Sequence, residues 1–402
     1  MKIKQIKKFE YDKIGYDELG LSLEQVHQFR KFLIDKGLSK ALDFQLDNIS
    51  TNSYVGIIKY DNIQLNILPK IIGENDSSCL ENLSFMLSYT KQLKIHNTGL
   101  AELSKNNNPF LEILIAHYAT SLLDALHKHI PHHYETKIDN LPTLKGRLLF
   151  TEHIRQNCSN QSHNLCQFDE FTPNNLLNQT LKLVAFILQK LTKVSETRNK
   201  LAKILAIYND VNLKHISYPQ AQKILLNRNQ SIFKEPLDLA KLFLQHSTLS
   251  LHEYRFTNLA ILFDMNRLFE EFIAQGLMQF FPGKVQVQAR QTFIKDIAGI
   301  RHTSYVIKPD ILFNTDTIID TKYKCLDLPN QKPSETDIYQ MLTYARFYNR
   351  ENIILCYPVY KQSWPLTSIF KDNNCKISLL TIDLHKPLNT NYLKDIFYAN
   401  FR

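Results

Sequence analysis

The chain has 402 residues, with 48 Lys and Arg against 39 Asp and Glu and a formal net charge of +9. Its length supports two or three domains with their own cores, and hydrophobic and charged fractions of 44% and 22% exclude a disordered or fibrous chain. The positive balance favours a polyanionic partner; no apolar run reaches membrane-spanning length, and the basic start Met1–Lys8 lacks the apolar stretch of a signal peptide, so a cytoplasmic setting is expected.

In chain order, residues 1–78 read as a β-rich module. One helix is expected near Ser22–Lys36, and Tyr54–Lys70 reads as a hairpin turning at Asp61-Asn62. Residues 79–251 change to helical spacing, with helices expected over Leu83–Leu93, Phe110–His129, Leu176–Leu191 and Leu237–His246 and a long polar loop over Asn157–Asn164. From 252 to 402 the order becomes helix (Thr257–Phe280), strands (Val285–Phe293, Tyr305–Phe313, Thr317–Tyr323), a helix around Gln340, and strands Asn352–Val359 and Ile377–Asp383. That order implies an α/β core on a mixed sheet, and the whole reads as an α+β multidomain protein.

Some chemistry is absent. The ten glycines form no phosphate-cradling cluster, so no nucleotide is expected to bind this chain itself. Six cysteines include no Cys-x-x-Cys pair, which fits free thiols in a reducing compartment. His127, His129, His132 and His133 offer a Zn²⁺ alternative, but Pro131 interrupts their spacing and no acidic or thiol partner is adjacent.

The most informative segment is Pro309-Asp310-Ile311-Leu312-Phe313 followed by Ile318-Ile319-Asp320-Thr321-Lys322. Two carboxylates on apolar strands repel one another unless a cation lies between them, and oxygen ligands of this kind suit Mg²⁺, with Mn²⁺ as a substitute. Asp310 and Asp320 are the expected ligands. The Thr321 carbonyl is a further one, its side chain being placed on the other face of the strand. Lys322 shares a face with Asp320 and would orient or deprotonate an attacking water and offset phosphoryl charge. Gln340 and Tyr344, at i and i+4, share a helix face. Upstream, Glu270 is preferred to Glu271 as an additional acidic ligand.

Asp310 with Asp320-Thr321-Lys322 resembles the PD-(D/E)XK nuclease superfamily, and Gln340-x-x-x-Tyr344 is similar to the helix beside the active site of its RecB-like members. Three further elements, Tyr54-Val55-Gly56 with Ile67-Leu68-Pro69-Lys70, Phe85-Met86-Leu87-Ser88-Tyr89, and Leu141-Pro142-Thr143-Leu144-Lys145-Gly146-Arg147-Leu148, extend the resemblance along the chain to the McrC family, nuclease subunits of McrBC modification-dependent restriction systems. The resemblance implies a C-terminal PD-(D/E)XK endonuclease region, a middle region serving as DNA channel, and an N-terminal module that docks on and stimulates a hexameric McrB-like AAA+ GTPase ring. Asp310, Asp320, Lys322 and Gln340 would be catalytic, and Tyr344, Lys324 and Arg147 would contact double-stranded DNA bearing modified cytosine. Lys59, Asn62 and Gln64 are candidate docking residues on the hairpin. A second copy of the chain, pairing through the nuclease region, is a further candidate partner. A stand-alone RecB-like repair nuclease would use the same residues without a GTPase, and a non-catalytic activator of a ring NTPase would not need the intact acid and lysine set.

Overall fold

The computed structural model describes residues 4–70, 76–90, 110–158, 162–250, 253–289, 291–294, 305–324, 326, 332–359, 366–371, 375–384, 386 and 388–401. Compactness groups the chain differently from the three regions read in the sequence. Met1–Ile113 and Asn258–Arg402 form one unit, and Leu114–Thr257 forms another.

In the first unit, β1 (Lys4–Phe9) buries Ile6 between exposed lysines and runs parallel to β3 (Ile63–Leu68). The expected hairpin is present: β2 (Tyr54–Tyr60) pairs antiparallel with β3, and Asp61 turns the chain with φ of 50°. β4 (Phe256–Asp264) joins the other side of β2, with Leu259 opposite Lys59 and Asp264 opposite Tyr54. This strand corrects the helix expected over Thr257–Phe280, which begins only at Met265. Leu259 to Phe263 are buried without interruption, and a continuous apolar run lacks the period that separates strand from helix. Asp264 ends the strand and caps the following helix, accepting from the Asn266 amide at 3.0 Å.

Gly56 lies where β2 and β4 approach. Its φ is +138°, and a Cβ would fall 2.2 Å from the Ile261 carbonyl oxygen, so only glycine fits. One face of this sheet packs on α1 (Leu23–Asp35), whose Phe29, Phe32 and Leu33 meet Ile58, Leu65 and Leu262. A capping box between Ser22 and Gln25 starts that helix.

The second sheet of this unit has the order β5-β6-β7-β8-β10-β9, formed by β5 (Val285–Val287), β6 (Ile311–Phe313), β7 (Thr317–Thr321), β8 (Asn352–Val359), β9 (Thr367–Lys371) and β10 (Lys376–Asp383). β8 runs parallel to both β7 and β10 while the other pairs are antiparallel, so the mixed sheet is as expected. Two expected strands are broken. Val285–Phe293 is interrupted at Gln288, which has φ of 52°, and Tyr305–Phe313 is interrupted before Ile311, where Pro309 has no amide hydrogen to give a ladder. Helix α4 (Glu335–Tyr348) packs Met341, Tyr344 and Ala345 into the cluster that holds Ile318, Ile353 and Leu355. Helices α2 (Asp76–Tyr89), α3 (Met265–Phe280) and α5 (Thr390–Asn400) complete the unit, and Gly276 lets the Phe397 ring close onto α3. The part of the expected helix beyond Thr90 lies outside the described residues.

The second unit contains the expected helix Leu176–Leu191, helices Ser195–Ile207 and Lys234–Gln245, and part of the helix Phe110–Lys128. It also holds an antiparallel sheet that helical spacing did not suggest, ordered His133–Leu141, Asn164–Thr172, Arg147–Leu148. The first of these strands is exposed along both faces, so no apolar alternation marks it. The expected polar loop falls between the helix Phe150–Asn157 and the strand starting at Asn164, with residues 159–161 outside the described set. No helix among the described residues is long and apolar enough to cross a membrane.

Candidate active site

Short-range strand pairing brings two carboxylates, Asp310 and Asp320, to one end of the sheet. β6 and β7 are joined by a turn in which Asn314 is left-handed, and Ile311 pairs with Ile319; one step further along that register sets Asp310 opposite Asp320. Asp310 Oδ2 accepts from the Thr321 amide and from the Thr321 hydroxyl, both at 2.8 Å. The Thr321 side chain therefore turns toward Asp310, which corrects its expected placement away from the acids. Glu270 comes from α3 and accepts from Gln288 Nε2 at 3.4 Å. Burial raises its pKa, and Asp310 nearby raises it further. Glu271 turns elsewhere, pairing with Arg267 at 2.9 Å.

Asp320 is 2% exposed. Desolvation, with repulsion from Asp310, pushes its carboxyl up to about 7 against the opposing pull of Lys322. Lys322 Nζ lies 2.6 Å from Asp320 Oδ2, yet that oxygen has no aligned hydrogen bond, so the contact is one of charge. Burial works against the Lys322 ammonium, but Asp320, Asp310 and Asp337 outweigh it and hold the pKa above its usual value.

A line of hydrogen bonds fixes that ammonium. Lys322 Nζ donates to Gln340 Oε1 at 3.0 Å, Gln340 Nε2 donates to Tyr344 Oη at 2.7 Å, and Tyr344 Oη donates to the Lys308 carbonyl at 3.2 Å. The line begins two residues after Asp320 and ends two residues before Asp310. It thus braces the two strand ends that carry the acids. Tyr344 is buried with its hydroxyl engaged, a different setting from the expected contact with DNA backbone. Lys324 is exposed and lies 3.3 Å from both Asp337 oxygens, and Asp337 Oδ2 also accepts from the Tyr357 hydroxyl at 3.1 Å.

The donor set suits a hard cation. Every candidate ligand atom is oxygen, one buried carboxylate oxygen lacks a hydrogen-bond partner, and Asp310 raises the pKa of both its acidic neighbours. Among the described residues no three His, Cys, Asp or Glu side chains stand close enough to hold a metal together. A centre built wholly from protein ligands is therefore disfavoured, whereas Mg²⁺ takes one or two carboxylates and keeps several waters. Two of the His127–His133 group have other partners: His132 stacks on Phe171 and, like His133, uses its Nδ1 on a backbone carbonyl.

A family model described as the McrBC 5-methylcytosine restriction system component matches residues 49–358. The chain belongs to this family. Its fold is similar to that of a chain in the refined half-complex from a tetradecameric assembly of Thermococcus gammatolerans McrB AAA+ hexamers with bound McrC, with a TM-score of 0.77 and 20% identity over 98% of this chain and 99% of that one. It is also similar to a chain in the cryo-EM structure of the Thermococcus gammatolerans McrBC complex, with a TM-score of 0.55 and 22% identity over 69% of this chain and 88% of that one. Comparison with curated proteins finds no match.

The window shared with the McrBC family takes in the hairpin, β4 to β7, most of β8 and every candidate site residue. Arg147 lies in the other unit, exposed on its short strand beside Gly146, where φ is +69° and a Cβ would meet the Gln167 carbonyl at 2.4 Å. Of the candidate docking residues on the hairpin, Gln64 is buried and Lys59 and Asn62 are half-buried. Gln288 and Lys308 were not singled out in the sequence. Each serves the site through an amide or a carbonyl placed by the chain breaks at Gln288 and Pro309, and no sequence pattern announces such a role.

Proposed function

We propose that this chain is the DNA-cutting subunit of a GTP-dependent, modified-cytosine-specific restriction complex, a Mg²⁺-dependent endonuclease with a PD-(D/E)XK core that docks on and stimulates a McrB-like AAA+ ring. Membership of the McrBC family supports the restriction setting. The solved complex of McrB hexamers with bound McrC, whose chain this fold resembles, supports the ring as partner. The observation that carries the nuclease reading is the brace from Lys322 through Gln340 and Tyr344 to Lys308, which holds a cation beside Asp320 and opposite Asp310.

Asp310 and Asp320 would hold Mg²⁺ together with water, with Glu270 and the Thr321 carbonyl as further candidate ligands; when bound, the ion would polarise a phosphoryl oxygen and lower the pKa of an attacking water. The chain's own residues do the rest. Lys322, held charged, faces the scissile phosphate and offsets charge developing on its oxygens, and Gln340 keeps that ammonium from collapsing onto Asp320 alone. Thr321 orients Asp310 through its amide and hydroxyl. Lys324, and separately Arg147 in the other unit, are exposed, and each is a candidate for a phosphate contact.

The test uses the full chain with its cognate ring, GTP, Mg²⁺ and DNA bearing modified cytosine. Asp310→Ala, Asp320→Ala and Lys322→Ala should abolish cutting while the ring's GTP turnover stays stimulated. Cutting by Asp320→Ala at the wild-type rate would refute the assignment.

A further inference from the structure

Glu10 is a carboxylate in a place where charge is expensive. It is fully buried, immediately after β1, and one oxygen, Oε1, has no hydrogen-bond partner. The other oxygen accepts from the Lys70 amide, just past the end of β3, and from the Tyr323 hydroxyl, each at 3.1 Å. A buried, half-satisfied carboxylate is poor value as a stabiliser, since an apolar side chain of similar size would commonly do better. What distinguishes this one is where its partners lead.

Tyr323 directly follows Lys322. Its ring is buried and meets the Phe269 ring at 5.9 Å, on the helix turn that also carries Glu270. Asp264, the cap of that helix, is near enough to Glu10 to raise its pKa, although burial is the larger cause. The Lys322 amide in turn donates to the Cys356 carbonyl on β8 at 2.9 Å. The ends of β1 and β3 thus meet the end of the lysine-bearing strand at one side chain.

We propose that Glu10 is a positioning residue for the nuclease site, acting through Tyr323 to hold Lys322 in register with Asp320, so that cutting depends on the N-terminal sheet. This rests on the nuclease reading above. Without the Tyr323 hydroxyl bond, the segment after Thr321 keeps its ladder bond to Cys356 but loses the tether that fixes its direction, and the Lys322 ammonium samples positions away from the phosphate. Glu10 touches neither DNA nor metal. Its contribution lies in the rate of the bound complex and not in affinity.

Tyr323→Phe tests this without emptying the core, because the ring remains against Phe269. In the full complex with ring, GTP, Mg²⁺ and modified DNA, single-turnover cutting at saturating DNA should fall about tenfold, the size of one lost buried hydrogen bond. The DNA concentration for half-maximal rate, the melting temperature of the chain and the ring's stimulated GTP turnover should stay near wild type. Glu10→Gln, which keeps an oxygen acceptor, should retain most of the rate, whereas Glu10→Leu should match Tyr323→Phe. Wild-type cutting by Tyr323→Phe, alongside an inactive Asp320→Ala, would overturn the proposal and leave the nuclease reading standing. A loss of cutting matched by a lower melting temperature and weaker GTP stimulation would assign the pair to folding and overturn it too. Undiminished cutting by Asp320→Ala would remove the reading on which it rests.

Discussion

At the residue scale, the candidate site is an exercise in holding one ammonium still. Lys322 is shared between Asp320 and Gln340, and Gln340 is itself held by Tyr344. Gln340→Ala should therefore slow single-turnover cutting by about 10–100-fold, the usual cost of losing a group that orients a ligand or catalytic residue. Tyr344→Phe should cost less, because packing survives. The acidic pair on α3 gives a sharper contrast. Glu270→Gln should raise the Mg²⁺ concentration needed for half-maximal cutting, while Glu271→Gln, whose carboxylate faces Arg267, should leave it unchanged. A Mg²⁺ titration of both variants checks this. Glu10 adds a pH signature: burial pushes its carboxyl from 4.5 up to about 8 against the bonds from Lys70 and Tyr323. The folded chain keeps a proton that the unfolded chain releases, so stability linked to Glu10 is full below its unfolded pKa and is lost as pH rises through the folded value. Denaturant unfolding from about pH 5 to about pH 9 should show Glu10→Gln gaining on wild type as pH rises, and a constant difference would refute the linkage.

At the element scale, the strand β4 does more than close the N-terminal sheet. It pairs with β2 and then feeds α3 through the Asp264 cap, so the acidic ligand candidate on α3 is set by a strand pairing with the hairpin. Gly56 is the hinge point of that pairing. Gly56→Ala would set a Cβ against the Ile261 carbonyl at φ of +138°, and should destabilise the chain by about 2–4 kcal/mol through strain and overpacking. Gly15→Ala, with nothing within 4 Å of its Cβ and no left-handed backbone, is the matched control and should be near neutral. Urea midpoints of the two variants decide the point.

At the scale of the whole molecule, one compact unit contains both the N-terminal sheet and the mixed sheet with its acids. Treating residues up to about the end of the hairpin as a detachable docking module would leave β4 without its partner β2 and Tyr323 without Glu10. Deleting residues 1–70 should therefore abolish cooperative unfolding of the remainder and promote its aggregation through the bared β4 edge. Size-exclusion chromatography and a thermal melt check this, and a soluble, cooperatively melting remainder would show the modules to be separable. Exposed substitutions on the hairpin turn, such as Asp61→Ala, are the better route to separating ring docking from cutting.

The sequence alone marked as candidates the two acids, the lysine between strand and loop, and the Gln340 and Tyr344 face, because each depends on spacing within a few residues of one element. It also determined the hairpin at Asp61-Asn62 and the mixed character of the C-terminal sheet, since turn residues and short apolar runs are local signals. It did not reveal β4, whose unbroken apolar run carries no period, or the exposed strand His133–Leu141, whose two solvated faces erase alternation. Three-dimensional packing was needed to show that Thr321 faces Asp310, that Glu270, already the preferred acid, lies near Asp310 while Glu271 turns to Arg267, and that Glu10 reaches Tyr323. The Thr321 contact depends on how two neighbouring strands end, and the other two join residues far apart in the chain; which of these form depends on how sheets and helices pack together, a choice that no single segment encodes.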